Sequence, residues 1–404
     1  MTTTAVTAPV GNRRLFAAPG PGLADHLATF GPLPGDVDLP ELVEQAGLNG
    51  RGGAGFPSAR KLHGVAQQGG GVVVANAAEG EPSSHKDHVL LRAAPHLVID
   101  GLVLAARAVG AREAYVVAAR PDLVSHLRTV LRERPERFPV KVVQVPDRFV
   151  SGQESAVVNA INGEPPLPGD KLVPVYRRGV HGRPTLVHNA ETLAHVGLLA
   201  RFGAQWFRSL GTDSEPGTFL ATVSGAVRQP NVFEVPYGTS LTQLLRWAGA
   251  APHEAQAVLV GGFHGAWVPG SAVVTTTMTR PSLQAHGATV GAGVVVVLGR
   301  DRCGLVESAG VATYLANESA AQCGPCINGL PRMADALDRL ARGQRDPRLV
   351  PEVERLRRLV VGRGACAHPD GTARFVASTM KTFAGEVAVH LGGGCSVRSA
   401  ANPR

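Results

Sequence analysis

The sequence predicts an α/β domain, a small β-grasp unit and a C-terminal helical bundle, in that order. Apolar strand-like runs alternate with helices between residues 72 and 145, a pattern typical of a parallel sheet. Two strands, a helix and a third strand follow between residues 217 and 270, which is the order of a small β-grasp. Between residues 305 and 390 the pattern is helical.

The 404 residues exceed what one hydrophobic core usually organises, so we expect several domains. The changes in pattern along the chain divide it into five predicted segments. These are a loose N-terminal tail at 1–35, the α/β domain at 36–215, the β-grasp at 216–300, a helical domain at 301–391 and a C-terminal tail at 392–404.

The composition, with 44% apolar and 18% charged residues, is typical of a soluble globular protein. The formal net charge is +8, but aromatic residues make up only 5% and no basic patch interleaves with them, so we expect no nucleic-acid partner. No apolar run reaches the roughly 18 residues of a membrane helix. We therefore expect no membrane span and a cytoplasmic protein, with peripheral attachment to a membrane complex left open.

The elements of the α/β domain follow from local signals. Residues 38–46 predict a short helix, because Asp38 suits the N-cap, Pro40 the first turn and Gly47 the stop. We then expect, in order, a strand at 72–75, a helix at 88–110 bent at Pro95, a strand at 114–118, a helix at 122–133 and a strand at 140–145.

Glycines are concentrated between Gly50 and Lys61, where the sequence reads GRGGAGFPSARK. Such a loop lets a ligand approach the main chain, and its N–H groups can form an anion nest. Arg51 and Lys61, at its two ends, are candidate counter-charges for a phosphate. A mobile surface loop would have a similar composition, but the next polar stretch favours a binding site.

That stretch, VVVANAAEGEP, ends an apolar strand at Asn76 and then presents Glu79 and Glu81. Ligands of open α/β sheets bind at the carboxyl ends of the strands. A phosphate-type loop together with polar groups at a strand end therefore indicates a nucleotide or flavin pocket.

GRGGAGFP followed by NAAEGEP resembles the flavin- and NADH-binding subunit of NADH:quinone oxidoreductase, of the bacterial F-chain or mitochondrial 51-kDa type. That family includes the flavin subunits of NAD-reducing hydrogenases and formate dehydrogenases. The resemblance runs from about Glu41 to His390 and identifies the chain as a divergent member. It implies an FMN- and NAD(H)-binding α/β domain, a soluble-ligand-binding β-grasp domain and an iron–sulfur-binding helical domain. The cofactor-binding residues it implies are Gly50, Arg51, Gly52, Gly53, Gly55, Phe56, Lys61, Asn76, Glu79, Glu81, Gly152, Gln153, Glu154, Asn189 and Thr192.

Several of these motifs depart from the family pattern. Ala78 replaces an Asp on the flavin side, Gln153 replaces the first Glu of a Gly-Glu-Glu segment, and His188 replaces the first Asn of an Asn-Asn-x-Glu-Thr segment. Phe56 is kept where the family stacks the adenine of the nucleotide, and Tyr176 is a candidate for a second aromatic residue. Apart from the resemblance, Glu154 would be an acid that complements the dipole in the first turn of a helix, and Asn189 and Thr192 would be ordinary capping residues.

The five cysteines are odd in number and unevenly spaced, which favours thiols or metal ligands over a disulfide framework. ESAAQCGPCINGLP places Cys323 and Cys326 three residues apart, so that two thiolates can face one metal centre. The resemblance implies that both bind a 4Fe-4S-type cluster together with Cys366. Ala320 stands where the family has the remaining cysteine.

Four outcomes are open for this cysteine site: a four-iron cluster with a non-cysteine ligand, a three-iron cluster, a different metal, or no cluster and buried thiols. His368, two residues beyond Cys366, is a candidate replacement ligand, and Cys303 and Cys395 are others. The many arginines of the helical region are interpreted as a solvated face. The alternative is a docking face for an acidic electron carrier.

The resemblance implies an oxidoreductase subunit, an electron-transfer flavoprotein of the NADH dehydrogenase type. A hydride would pass from NADH to FMN, and single electrons would then reach an iron–sulfur cluster and a partner acceptor. No side chain needs to act as a catalytic acid or base, because the chemistry belongs to the cofactor. The expected partners are other electron-transfer subunits or a ferredoxin-like carrier.

Two alternatives remain open. One is a divergent paralogue that exchanges electrons between flavin and a ferredoxin-like partner without NADH, suggested by Ala78, Gln153 and His188. The other is a non-catalytic scaffold subunit that has lost its cluster together with the cysteine replaced by Ala320.

Overall fold

A four-stranded parallel sheet organises the first part of the chain in the computed structural model, which describes residues 13–35, 37–134, 138–170 and 173–397. The strands lie in the order β3-β2-β1-β4. The strands predicted at 72–75, 114–118 and 140–145 are confirmed, and β4 is a strand that the sequence pattern does not predict. Their bounds are β1 (Val72–Ala77), β2 (Ala114–Ala118), β3 (Val140–Gln144) and β4 (Thr185–Asn189).

Strand β1 lies inside this sheet and places two asparagines side by side. Asn76 of β1 pairs with Asn189 of β4 at the carboxyl ends of both strands. Successive residues of β1 face two separate cores, Val73 on one side and Val74 on the other. Because both faces are covered by apolar side chains, the polar groups of this region collect at the strand ends.

The chain divides into two compact units, and the division falls inside the strand at 218–225. The first unit contains the described residues up to Thr222 together with Asn231–Thr239. Its helices are α1 (Leu23–Phe30), α2 (Leu39–Ala46), α3 (Ser58–Ala66), α4 (Lys86–Ala93), α5 (Pro95–Ala108), α6 (Pro121–Glu133), α7 (Glu154–Ile161) and α8 (Ala190–Arg208).

The helix expected at 88–110 is bent, as predicted, and forms α4 and α5 at an angle of 96°. Pro95 stands at the first position of α5, where its missing N–H is not needed. Among the described residues no single helix is both long and apolar enough to cross a membrane. The bent pair α4 and α5 passes that test of length and composition only when the two helices are taken together.

The loose tail expected at 1–35 is corrected for the part of it that the structure describes. Helix α1 forms there, Leu15 and Phe30 are buried in the main core, and His26 Nε2 lies 2.7 Å from Asp100 Oδ2. A helix of eight residues is too short to give a clear periodic signal in a sequence.

A strand pair follows, β5 (Thr218–Gly225) and β6 (Asn231–Pro236), and the second unit continues from Ser240. Ser240 caps the next helix, as predicted, by accepting a hydrogen bond from Gln243 N at 3.1 Å. Strand β7 pairs antiparallel with both β8 and β9. The bounds of these elements are α9 (Leu241–Trp247), β7 (Ala255–Val260), β8 (Ala266–Pro269), α10 (Arg280–Gln284) and β9 (Val294–Gly299).

The C-terminal region is helical, as predicted. It comprises α11 (Gly304–Asn317), a π-helical turn (Pro325–Gly329), α12 (Leu330–Ala341), α13 (Leu349–Val360), α14 (His368–Thr382) and α15 (Ala384–Leu391). Several of its arginines pair with acids one turn away, for example Arg355 with Glu352 at 2.7 Å and Arg342 with Asp338 at 2.7 Å. These exposed pairs one turn apart support the interpretation of a solvated face.

Candidate functional site

The glycine-rich loop is closed at its neck and leads directly into α3. Gly50 N donates to Phe56 O at 2.8 Å, and Ser58 N donates to Leu48 O at 3.0 Å. Gly53 and Gly55 have φ angles of 107° and 61°, which only glycine adopts without strain. The loop therefore presents main chain rather than side chains at its centre.

The side chain of Arg51 points into the domain, contrary to its expected place as a phosphate counter-charge. It is 5% exposed, and its Nε and Nη1 donate to the carbonyl oxygens of Thr218 and Asn49 at 3.1 Å and 2.8 Å. Its guanidinium also lies 4.8 Å from the centre of the Tyr237 ring. The main-chain N–H of Arg51 donates to Thr192 Oγ1 at 2.8 Å, so both residues anchor the loop.

Asn189 joins three elements at the carboxyl edge of the sheet. Its side-chain oxygen accepts from Glu191 N at 3.1 Å, capping α8 as the simpler interpretation predicts, and from Lys86 Nζ at 2.9 Å. Its amide nitrogen donates to Asp87 Oδ2 at 2.6 Å and to Asn76 O at 3.3 Å. The side chain of Asn189 is thus fully engaged by the protein.

The glycine loop touches this asparagine. A Cβ on Gly52 would lie 3.2 Å from Asn189 Cβ, which is tighter than an ordinary van der Waals contact. The loop, β1 and β4 therefore meet at one edge of the sheet, as the sequence analysis predicts for the two motifs.

A buried charge network lies beneath this edge, and its residues are not among those predicted from the sequence. Lys86 Nζ lies 2.8 Å from Asp87 Oδ1 and 3.0 Å from Glu191 Oε2, and all three side chains are at most 6% exposed. Burial lowers the pKa of Lys86, but the two carboxylates outweigh it and raise that pKa overall. Burial raises the pKa of Asp87 to about 6, with Lys86 opposing the shift. The available signal in the sequence is the Lys-Asp pair that follows the acidic motif after three residues.

Glu79 and Glu81 bind their own loop. Glu79 Oε1 accepts from Ser84 Oγ at 2.5 Å and from Asp87 N at 3.1 Å, and its Oε2 accepts from His88 N at 3.2 Å. Glu79 therefore satisfies the N-terminal N–H groups of α4. Glu81 Oε1 accepts from Ser83 N at 3.3 Å.

The segment around Gly152 packs main chain against main chain. A Cβ on Gly152 would lie 2.4 Å from Ala78 O, so any larger residue would force the two loops apart. Asn76 Nδ2 donates to Gly152 O at 2.8 Å. Gln153 caps α7, because its Oε1 accepts from the main-chain N–H groups of Ser155 and Ala156 at 2.8 Å and 3.1 Å. Gln153 thus supplies a capping oxygen, as the glutamate expected from the family pattern would.

The outer part of the site contains charged and aromatic groups that water reaches. Lys61 Nζ lies 2.7 Å from Glu154 Oε1, and these side chains are 26% and 39% exposed. Phe56 is 42% exposed, with Lys61 Nζ 5.9 Å from the centre of its ring.

Burial, together with the charge of Lys61, lowers the pKa of His188 to about 3, so this imidazole is neutral. Tyr176 instead lies against Gly64 of α3.

The second unit brings Cys323, Cys326 and Cys366 into one neighbourhood. Burial, together with the nearby Cys323 and Cys366 sulfurs, raises the pKa of Cys326 to about 12. Cys323 O accepts from both Cys326 N and Ile327 N, at 3.0 Å and 2.9 Å, where the π-helical turn begins. His368, the candidate replacement ligand, donates from Nε2 to Leu315 O at 2.8 Å.

Comparisons with known proteins agree with this arrangement. A model of the Nuo51 FMN-binding domain matches residues 43–198, an SLBB domain model matches 220–262, and a model of the NADH-ubiquinone oxidoreductase-F iron-sulfur binding region matches 307–390. The F 2 subunit of NADH-quinone oxidoreductase of Rhizobium meliloti (strain 1021) is 30% identical over 377 residues, covering 88% of this chain and 89% of that protein. The F-subunit of the same enzyme of Mycobacterium tuberculosis (strain ATCC 25618 / H37Rv) is 29% identical over 392 residues, covering 89% and 86%.

Solved structures of another oxidoreductase are also similar to this chain. Crystal structures of an NAD+-reducing [NiFe]-hydrogenase in the H2-reduced and air-oxidized states match with TM-scores of 0.80 and 0.79 at 28% identity. The match covers 87% of this chain but 62% of the hydrogenase chain, so this chain spans less than two thirds of that protein's length. The chain belongs to the family of NADH-quinone oxidoreductase F-subunits, a family of oxidoreductase subunits with an FMN-binding domain and an iron–sulfur-binding region.

Proposed function

We propose that this chain is the flavin-carrying subunit of an assembly that oxidises NADH. The observation that supports this most is the meeting of the glycine loop, Asn76 and Asn189 at one edge of the parallel sheet. FMN, when bound, accepts two electrons from NADH and releases them one at a time to an iron–sulfur centre. The chain itself contributes binding, orientation and a controlled electrostatic environment.

The residues at this edge fit an anionic flavin phosphate. The loop from Gly52 to Gly55 offers main-chain N–H groups; the N-terminus of α3 follows it in the sequence, and Asn189, the N-cap of α8, lies against it. Ser58 Oγ, in the first turn of α3, is buried and has no hydrogen-bond partner among the residues that the structure describes. Asn76 and Asn189 hold the strand ends beneath this loop.

The outer residues support a nucleotide substrate. Phe56 offers an exposed aromatic face, and Arg60 and Lys61 lie 5.6 Å and 5.9 Å from its centre. An aromatic face beside two cations suits the adenine ring and the pyrophosphate of NADH. Lys61 is held by Glu154 at 2.7 Å, so a phosphate would compete with Glu154 for the ammonium group.

Cys323, Cys326 and Cys366 support an iron–sulfur cluster that is bound by three thiolates. Four cysteines are the usual complement, and Ala320 offers no donor at the position where the family has the remaining one. We propose that one iron of this cluster has no cysteine ligand. This iron, the labile corner of the cluster, would be lost more easily than the irons that cysteines hold. Other electron-transfer subunits are the proposed acceptors, and a ferredoxin-like carrier is the alternative.

Anaerobic absorbance spectra of the reconstituted protein, recorded before and after NADH is added, test the proposal, and the iron content is counted in the same sample. We expect flavin bands that bleach with NADH above a broad iron–sulfur shoulder. Lys61→Gln should raise the NADH concentration needed for half-bleaching, while the surface variant Lys141→Gln should not. Flavin that bleaches only with reduced ferredoxin would favour the divergent paralogue. A protein without flavin or iron would leave the scaffold alternative.

A further inference from the structure

Four potential metal ligands meet in the second unit, apart from the cysteines of the iron–sulfur motif. They are Cys303, Glu386, His390 and Cys395, and one ligand atom from each lies within 4.8 Å of all the others. Cys303, His390 and Cys395 are buried, and Glu386 is partly buried. The iron–sulfur region model matches 307–390, so both cysteines of this group lie outside it.

The distances within the group suit a tetrahedral ion. With zinc bonds of roughly 2.3 Å to sulfur and 2.0–2.2 Å to nitrogen or oxygen, a tetrahedron has edges of about 3.3–3.8 Å. Cys303 Sγ lies 3.5 Å from His390 Nε2 and 3.6 Å from Glu386 Oε1. His390 Nε2 and Glu386 Oε1 are 3.0 Å apart, a hydrogen-bond distance that a small movement would open to a tetrahedral edge.

The local structure explains why these residues meet. Cys303 directly precedes α11, and Glu386 and His390 lie one turn apart on the same face of α15. After α15 the glycine run turns the chain back, with Gly393 at φ 83° and Gly394 N donating to Val389 O at 3.1 Å. This turn returns Cys395 to the helix. The glycine run predicted as a C-terminal tail is therefore a defined turn as far as residue 397.

We propose that Cys303, Glu386, His390 and Cys395 form a structural Zn²⁺ site. Two thiolates, one imidazole and one carboxylate complete a closed tetrahedral set, and zinc accepts all three ligand types. The site would join the start of α11 to the chain beyond α15. Because α11 leads towards the segment that carries Cys323 and Cys326, a zinc ion here would anchor the start of the helix that precedes that segment.

Binding requires deprotonation but no redox step. Burial raises the pKa of the Cys303 thiol to about 12, so without metal this sulfur carries its proton. Zn²⁺ forms bonds to both sulfurs, and the two thiol protons leave to solvent. Burial opposes ionisation of Glu386, but hydrogen bonds from Ser396 and Cys395 and the nearby His390 together lower the pKa of this carboxyl below its usual value. Its carboxylate is thus ready as a ligand.

Zinc and iron counted separately in the purified full-length protein test this proposal. We expect about one zinc per chain, in line with one tetrahedral site. Cys303→Ser and Cys395→Ser should each reduce zinc to background. The matched control Cys326→Ser should lose iron and keep zinc, which separates this site from the iron–sulfur motif. Replacement of zinc by Co²⁺ should give the intense visible bands and the sulfur-to-metal charge transfer of a tetrahedral thiolate site.

If the serine variants do not fold, Glu386→Gln tests the zinc site in their place. We expect it to weaken zinc binding, in competition with a chelator, by more than the roughly 10- to 100-fold loss that follows from changing a residue that only contacts a ligand. The proposal is overturned by a protein that binds neither Zn²⁺ nor Co²⁺. It is also overturned by zinc that persists in both serine variants, or by a mass two hydrogens lower that reports a disulfide between Cys303 and Cys395.

Discussion

Replacement of Lys86 by Met tests whether the buried charge network holds the cofactor edge of the sheet. Methionine keeps the unbranched stem but removes the ammonium group, which lies within 3.0 Å of Asp87, Glu191 and Asn189. Two buried carboxylates would lose their nearest cation. Breaking a buried pair by removing one partner costs roughly 3–5 kcal/mol, because the remaining charge is uncompensated. Arg51 would remain near Glu191 as a cation, at 3.9 Å.

Hydrogen exchange of the amides in β1 and β4 measures this loss where it occurs. A cost of roughly 3–5 kcal/mol corresponds to about 150- to 5,000-fold faster exchange through local opening. Lys141→Met is the matched control, because Lys141 also binds a carboxylate at 2.7 Å, that of Glu113, but its side chain is 61% exposed. Water screens that pair, so its removal should leave β1 and β4 protected.

A second substitution separates charge from shape. In the Lys86→Met background, Asp87→Asn removes one of the two stranded carboxylates and should recover part of the lost protection. Equal exchange rates for Lys86→Met and Lys141→Met would refute the reasoning, since the buried network would then contribute no more than a surface pair. Slower exchange in Lys86→Met than in the wild type would refute it more strongly.

Three further changes have expected outcomes. Gly152→Ala places a Cβ 2.4 Å from Ala78 O, so it should lower the free energy of unfolding by roughly 1–3 kcal/mol and weaken FMN binding. Gly310→Ala, with open space around it, should have neither effect. Thermal shifts with and without FMN measure both effects. Burial raises the pKa of Glu234 to about 7, so between about pH 4.5 and 7 the native state binds the proton of this carboxyl more tightly than the unfolded chain does. The stability of the wild type should therefore fall as pH rises through that range, measured as the denaturant midpoint. An equal fall of the midpoint in Glu234→Gln, which lacks the carboxyl, would contradict this. Ala320→Cys supplies the missing thiolate and should raise the iron content from about three to about four per chain, with a four-iron resonance signal on reduction; an unchanged iron count would contradict the labile corner.

The backbone of the site could be predicted from sequence to a large extent. Four glycines around Arg51 indicate a main-chain loop whatever surrounds them, because glycine's freedom is a local property. An apolar run that stops at Asn76 likewise marks a strand end by itself. Strand β4 is harder, because TLVHN is short and runs straight into α8 without a turn signal. Its pairing with β1 joins residues that are far apart in the sequence, so it is determined by the tertiary fold.

The directions of the side chains could not be predicted in this way. Arg51 follows a glycine in an exposed-looking loop, yet it turns inward because Thr218 and Asn49 offer it carbonyl oxygens and Tyr237 a ring. Lys86 is buried only because α8 brings Glu191 beside it from 105 positions along the chain, a contact that no window of sequence contains. Such pairings depend on the completed fold.

The saturation of Asn189 has a consequence for the evolution of this protein. Its amide, like the carboxylate of Glu79, already spends its hydrogen bonds within the chain, so the face that remains for a ligand is largely peptide backbone. A surface made of backbone keeps its shape while neighbouring side chains drift. Ala78, Gln153 and His188, which the resemblance marks as departures from the family pattern, would then leave most of this backbone surface as it is.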